Sequence, residues 1–173
     1  MKDLQYPIGR HKPGDIFSEQ KLQKQIEQIK ALPSRLVKII EPLNEAQLDT
    51  PYRPGGWTVR QLVHHIADSH MNGYIRMNWA LTEDYPTIKP YHQEAWAELA
   101  VYKAPVSISL DLIKNLHTRW GFLLDGLSSN ELQKEYNHPD KGPFTLWQHI
   151  EHYDWHGRHH LAHITSLIER KNW

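Results

Sequence analysis

Apolar residues recur at helical spacing through four stretches of the chain, and the segments between them carry most of the prolines and glycines. The first stretch, "SEQKLQKQIEQIKALPSRLVKII" (18–40), predicts a helix disturbed at Pro33, because proline lacks the N–H that a helix interior needs. A turn-rich connection, "EPLNEAQLDTPYRPGGW", follows. Thr58 then opens a second helix with Gln61 three residues on, a pairing in which each side chain satisfies a free backbone amide. That helix should reach about Thr82 and bury Val59, Leu62, Val63, Ile66 and Met77. Two prolines make "EDYPTIKPYH" a loop, after which a short helix near 93–100 and a third long helix from about Ser107 to Leu127 are expected. A short segment from Ser128 leads through "YNHPDKGP" to Thr145, which repeats the cap with Gln148. The last helix should run to about Arg170, with Leu146, Ile150, Tyr153, Leu161, Ile164 and Ile168 on one face and Gly157 inside that face. No stretch alternates in the manner of a strand. The pattern predicts an all-α protein, a four-helix bundle of antiparallel type in which the loops return the chain each time. It also predicts a single domain over 1–173, with 1–15 as an irregular arm punctuated by Pro7, Gly9, Pro13 and Gly14.

Composition changes this picture in three ways. At 173 residues the chain can bury a core without help from a metal or a disulfide. Cysteine is absent, which excludes disulfides, zinc–thiolate sites, iron–sulfur clusters and a cysteine nucleophile, and fits a reducing compartment. Twenty basic residues balance twenty acidic ones, so no long-range field draws the protein to nucleic acid or an anionic membrane. The N-terminal "MKDLQYPIGRHKPG" lacks the apolar run of a signal peptide, and no run approaches the ~18 residues of a membrane span. A soluble, cytoplasmic protein is expected, with a small molecule as its partner.

The candidate chemistry lies in thirteen histidines. In the last helix, His152/His156, His156/His160 and His159/His163 have the i, i+4 spacing that lets two imidazoles share an ion. His160 borders the apolar face and His156 sits one step further round, whereas His152 and His159 project away and His163 is intermediate. His156 and His160 are therefore the best inward pair, with Gly157 between them permitting close approach of a neighbouring helix. In the second helix, His70 falls within the apolar face, His65 lies beside a polar stripe of Ser69, Asn72 and Arg76, and His64 pairs with Asp68 on the outer side. Periodicity leaves His65 and His70 open.

Several motifs carry a resemblance: "YPIG", "QLDTPYRPGGWTVRQLVHHIADSHMN", "GYIR", "IKPY", "YNHPD" and "WHGRHHLAHI". In that order, over almost the whole chain, they resemble the YfiT-like branch of the DinB superfamily, described as metal-dependent hydrolases. The resemblance implies a four-helix bundle, a homodimer and one divalent metal ion per chain on three histidines. Its motifs place the second-helix ligand on His65 and the other two on His156 and His160. His70 is then a core residue or one that supports a ligand, and His159 and His163 are exposed or support ligands from behind.

Three neutral imidazoles leave a divalent ion its full charge and an open position, the arrangement of catalytic rather than structural zinc. Zinc is the first expectation for the ion and nickel the second, since imidazole suits both. Water on zinc ionises near pH 7, so hydrolysis of an ester or amide follows. The open position can instead take the thiolate of a low-molecular-weight thiol such as bacillithiol and direct it at an electrophile, and some relatives look like such transferases. A third reading is a non-enzymatic metal-binding protein. The carboxylates Glu151, Asp154 and Asp68 read as solvated helix-face groups, and Trp57, Trp147 and Trp155 as packing residues that could line a pocket.

Overall fold

The computed structural model describes residues 3–173. Four long helices make the bundle: α1 (Glu19–Ile40), α3 (Val59–Thr82), α5 (Val106–Asp125) and α7 (Leu146–Lys171). Single turns occupy the connections, α2 (Glu45–Leu48), α4 (Gln93–Trp96) and α6 (Ser129–Leu132), with a 3-10 turn at Ala100–Lys103. Side-chain caps begin α3 and α7 as the sequence signals. Thr58 and Gln61 close reciprocally on α3, and Thr145 and Gln148 on α7. Among the described residues no helix is long and apolar enough to cross a membrane.

Two apolar clusters fill the interior, and they fix the helix directions. At one end, Ile26 and Ile29 of α1 join Met77 of α3, Trp120 of α5 and Ile150 of α7. At the other, Leu36 of α1 joins Leu62 of α3, Ile113 of α5 and Ile164 of α7. Reading along each chain segment, α1 and α7 point one way while α3 and α5 point the other. α1 packs against α5 and α7, and so does α3. The expectation that every loop reverses the chain is thus corrected at one place: α3 and α5 are parallel neighbours. The physical reason is the long connection 83–105, which carries the chain back along the roughly 36 Å of α3 before α5 starts.

Two further expectations are corrected. α1 is continuous through Pro33. Proline withdraws the amide that would bond the Ile29 carbonyl, but His117 Nδ1 of α5 donates to that carbonyl at 2.7 Å. The segment around "YNHPDKGP" is a hairpin, β1 (Glu135–His138) paired antiparallel with β2 (Gly142–Thr145). Strands of four residues are too short for alternation to register, and β1 gains bonds from outside the pair, Asn137 N–H to Pro86 O and Ile88 N–H to Asn137 O.

Close approach of helices rests on two glycines. At Gly157, as expected, a neighbour comes in: Leu32 of α1 lies 2.9 Å from where a β-carbon would stand. At Gly73 of α3, a β-carbon would overlap the ring of Tyr153, which is buried and donates its hydroxyl to Ser69 O at 3.0 Å. Gly73→Ala is therefore expected to lower stability by about 1–3 kcal/mol through overpacking, read as an earlier urea midpoint. A midpoint equal to that of the wild type would contradict this packing.

Candidate metal centre

Between the two apolar clusters lies a layer of imidazole. His65 and His70 come from α3, His117 from α5, and His156 and His160 from α7, all buried. The three residues singled out by sequence converge. His65 Nε2 lies 3.3 Å from His156 Nε2, and His160 Nε2 lies 3.1 Å from His156 Nε2. The three form one of two groups among the described residues that could hold a metal ion, and no carboxylate joins either group. Tetrahedral zinc with Zn–N of 2.0–2.1 Å separates its nitrogens by about 3.3 Å, so the spacing fits such an ion. At this distance the lone pairs of two imidazole nitrogens repel, and a cation held between them turns that repulsion into attraction. The donor set fits a divalent metal.

Helix geometry explains the convergence. His156 and His160 are one turn apart on α7 and face α3, where His65 occupies the matching level because α3 and α7 run antiparallel. Burial pushes the His65 ring down to about 4, only weakly opposed by Glu94. Burial also holds His156 and His160 well below the ordinary histidine range, and neighbouring imidazoles add to the effect. All three rings are neutral at pH 7, the form that binds metal.

The remaining histidines fall differently from the wheel. His70 is fully buried, with Nε2 at 3.1 Å from His156 Nδ1 and Nδ1 at 3.0 Å from His117 Nε2. It touches a member of the trio without joining it. His159 and His163, read as outward or intermediate, are buried because the N-terminal arm lies over that side of α7. Tyr6 stacks on His159, and His163 Nε2 donates to Gln5 O at 3.1 Å. His163 Nδ1 stands 3.3 Å from His160 Nδ1, and with His159 these two make the second group. His64 does not pair with Asp68 on an outer face: it is buried, with Nδ1 at 2.7 Å from Ser109 Oγ and Nε2 at 3.1 Å from Ala104 O. The returning 100–109 segment covers it, a contact no single-helix wheel contains.

None of the three carboxylates considered is a free solvated group. Glu151 binds Lys21 and accepts the Gly14 N–H at 2.6 Å, Asp154 holds Arg158 through both oxygens at 2.7 and 2.8 Å, and Asp68 accepts the Tyr102 hydroxyl at 2.7 Å. Their partners leave them no part in the trio. The trio instead opens onto a cleft of about 590 Å³ walled by Trp57, Trp155, Arg53, Glu94 and Lys141. Trp57 packs on His65 with centroids 4.7 Å apart, whereas Trp147 belongs to the apolar core. Ser69 Oγ is 3.3 Å from His156 Nε2, and the Tyr91 hydroxyl is 3.5 Å from His65 Nδ1. Ser69 stands in the polar stripe visible in the sequence. Tyr91, Glu94 and Arg53 come from connections, where no periodicity marks them. A groove of similar size between α1 and α5, about 640 Å³, lacks such converging nitrogens.

Fold and trio together define a class: a helical bundle built around a buried three-imidazole centre able to hold a divalent ion. The chain belongs to the DinB superfamily, whose family model matches residues 28–164. It is 54% identical over its full 173 residues, and over the full length of the relative, to a Bacillus mycoides protein named "Putative metal-dependent hydrolase". A Bacillus cereus protein of the same name is also 54% identical with complete coverage of both chains. Among solved structures it is similar to YfiT from Bacillus subtilis at 47% identity, a TM-score of 0.96 and 98% coverage of each chain. YfiT is described as "a probable metal-dependent hydrolase with an unusual four-helix bundle topology".

Buried neutral rings make the fold acid-sensitive. Burial lowers His117 to about 4 and His149 to about 3, against 6.5 for the unfolded chain. Between those values the unfolded chain binds protons that the folded one refuses, so stability falls as pH drops from 6.5 towards 4, by up to roughly 1.4 kcal/mol per pH unit for each ring. The urea midpoint of the metal-free protein should be clearly lower at pH 5 than at pH 7.5. Equal midpoints would mean that these rings are accessible to protons in the folded state.

Proposed function

We propose that the protein is a metal-dependent hydrolase in which His65, His156 and His160 hold one divalent ion, zinc before nickel. The observation that carries this reading is the meeting of three Nε2 atoms at the base of an open cleft. An ion there would supply Lewis acidity and bring the ionisation of water near pH 7. The chain's own residues do the rest. Trp57 and Trp155 exclude bulk solvent from one side, which strengthens every charge interaction within the cleft. Glu94 on the wall is held ionised by Gln93 and its own backbone N–H, and its oxygens can accept a proton. Ser69 Oγ can orient a polar group beside His156.

The cleft also indicates a substrate with an anionic part. Arg53 Nε is buried without a partner among the described residues, and burial lowers the Lys141 ammonium pKa. Both cations face the same space as the trio. This favours carboxylate-bearing substrates, and it supports a second reading, transfer of a small carboxylate-bearing thiol to an electrophile. The protein has no cysteine of its own to serve in that role. The family resemblance adds a homodimer acting in the cytoplasm to the proposal.

Metal analysis should find about one ion per chain. His65→Ala, His156→Ala and His160→Ala should each lose it, whereas His159→Ala should retain it. Retention in any of the first three removes that residue from the centre, and loss in the fourth points to the second histidine group. Activated esters and amides should be hydrolysed by the wild type and not by His156→Ala. Product that forms from an electrophile only when glutathione, cysteine or bacillithiol is added would replace hydrolysis with thiol transfer. No turnover in either screen would favour a metal-binding protein without catalysis.

A further inference from the structure

The hydrogen bonds behind the trio form two chains, and each ends on a backbone carbonyl. The first runs from Ile29 O through His117 and His70 to His156, with steps of 2.7, 3.0 and 3.1 Å. The second runs from Gln5 O through His163 to His160, with steps of 3.1 and 3.3 Å. We propose that these chains lock the tautomers of His156 and His160, so that both Nε2 atoms offer lone pairs to the centre before any metal arrives. His117, His70 and His163 are then positioning residues. The proposal rests on the metal-binding reading above only for its consequence, not for its geometry.

The direction of each chain follows from the acceptor at its end. A carbonyl has no proton to give, so His117 Nδ1 must carry the hydrogen of its bond to Ile29 O. A neutral ring has one N–H, which makes His117 Nε2 an acceptor and His70 Nδ1 the donor to it. His70 Nε2 is then an acceptor, His156 Nδ1 is the donor, and His156 Nε2 is left with its lone pair facing His65 and His160. The same logic makes His163 Nε2 a donor to Gln5 O, His163 Nδ1 an acceptor and His160 Nδ1 a donor, which frees His160 Nε2. His117, His70 and His163 are buried and bond to no carboxylate, so nothing around them favours a second proton on any ring. Reversing one ring would set lone pair against lone pair at one neighbour and proton against proton at the other, inside the buried layer of rings.

Pro33 is the root of the longer chain. It removes the helix's own donor to the Ile29 carbonyl, and His117 takes that place. A proline that would ordinarily interrupt α1 therefore sets the protonation of a ring in the centre, two imidazoles away. The second histidine group is also explained: His160 Nδ1 is occupied as a donor to His163, so the group lacks the free lone pair that a second ion would require.

The test is two-bond 1H–15N correlation NMR of metal-free, 15N-histidine-labelled protein near pH 7. His117, His70, His156 and His160 should all appear as Nδ1–H tautomers, and His163 as Nε2–H. His117→Phe should leave His156 as a mixture of tautomers and weaken zinc binding by about 10–100-fold. The control His149→Phe removes a buried histidine outside both chains, and should keep the wild-type tautomer and affinity at His156 whatever it costs in stability. Should His117→Phe fail to fold, Pro33→Ala restores a competing amide at Ile29 and should move the His117 Nδ1 proton upfield and speed its exchange. An Nε2–H or averaged His156 in the wild type overturns the proposal, as does a folded His117→Phe with unaltered zinc affinity. Because the tautomers are read without metal, a protein that shows them but binds no ion would sink the metal reading and leave the lock standing.

Discussion

Buried imidazole that must find its partners within the fold is the constraint around which this bundle is arranged. Nine histidines are buried, and a polar group taken from water without a partner costs on the order of several kcal/mol. The bundle meets this by placing a layer of rings between two apolar clusters and bonding them to one another and to carbonyls. Within this layer the Nε2 atoms of His65, His156 and His160 are turned towards each other. What reads as an accumulation of histidine is thus a supporting framework that leaves one point of convergence, suited to a cation.

Helix directions and connections serve that point. Antiparallel packing of α3 and α7 brings His65 level with the His156/His160 turn, and parallel packing of α3 and α5 brings His70 level with His117. The return of the chain through 83–105 makes the second pairing possible, sets the Tyr91 hydroxyl beside His65 Nδ1 and supplies Glu94 to the cleft. The N-terminal arm closes the other side: Tyr6 stacks on His159, Gln5 O takes the His163 proton and Gly9 O accepts from Trp155. One wall of the centre stays open, and there Arg53, Lys141 and Glu94 give the cleft its charges.

Much of this was legible from local rules. The Thr58/Gln61 and Thr145/Gln148 caps form where the sequence places them, and α3 and α7 run over nearly the expected residues. The choice of His156 and His160 as the inward pair needed only a 100° rotation per residue, and these two rings do meet across one turn. His65 could not be separated from His70 in this way, because both lie on faces that α3 buries. Resemblance to the family's motifs favoured His65, and in the structure it is His65 Nε2 that meets the α7 pair, while His70 stands behind His156.

The sequence by itself determined the elements whose causes lie within a turn or two of chain: helix starts, apolar faces, and the i, i+4 histidine pair. Tertiary structure decided whatever depends on partners distant in sequence. A wheel shows His64 and His159 as outward, yet segment 100–109 covers one and residues 5–6 the other. Pro33 reads as a disturbance of α1 until a ring from α5, 84 residues later in the chain, bonds the carbonyl that the proline leaves without a donor. The carboxylate of Glu151 looks solvated until Lys21 and the Gly14 N–H are in place. Periodicity describes the direction of a side chain, but burial and hydrogen bonding depend on what is packed in that direction, and only the folded chain supplies it.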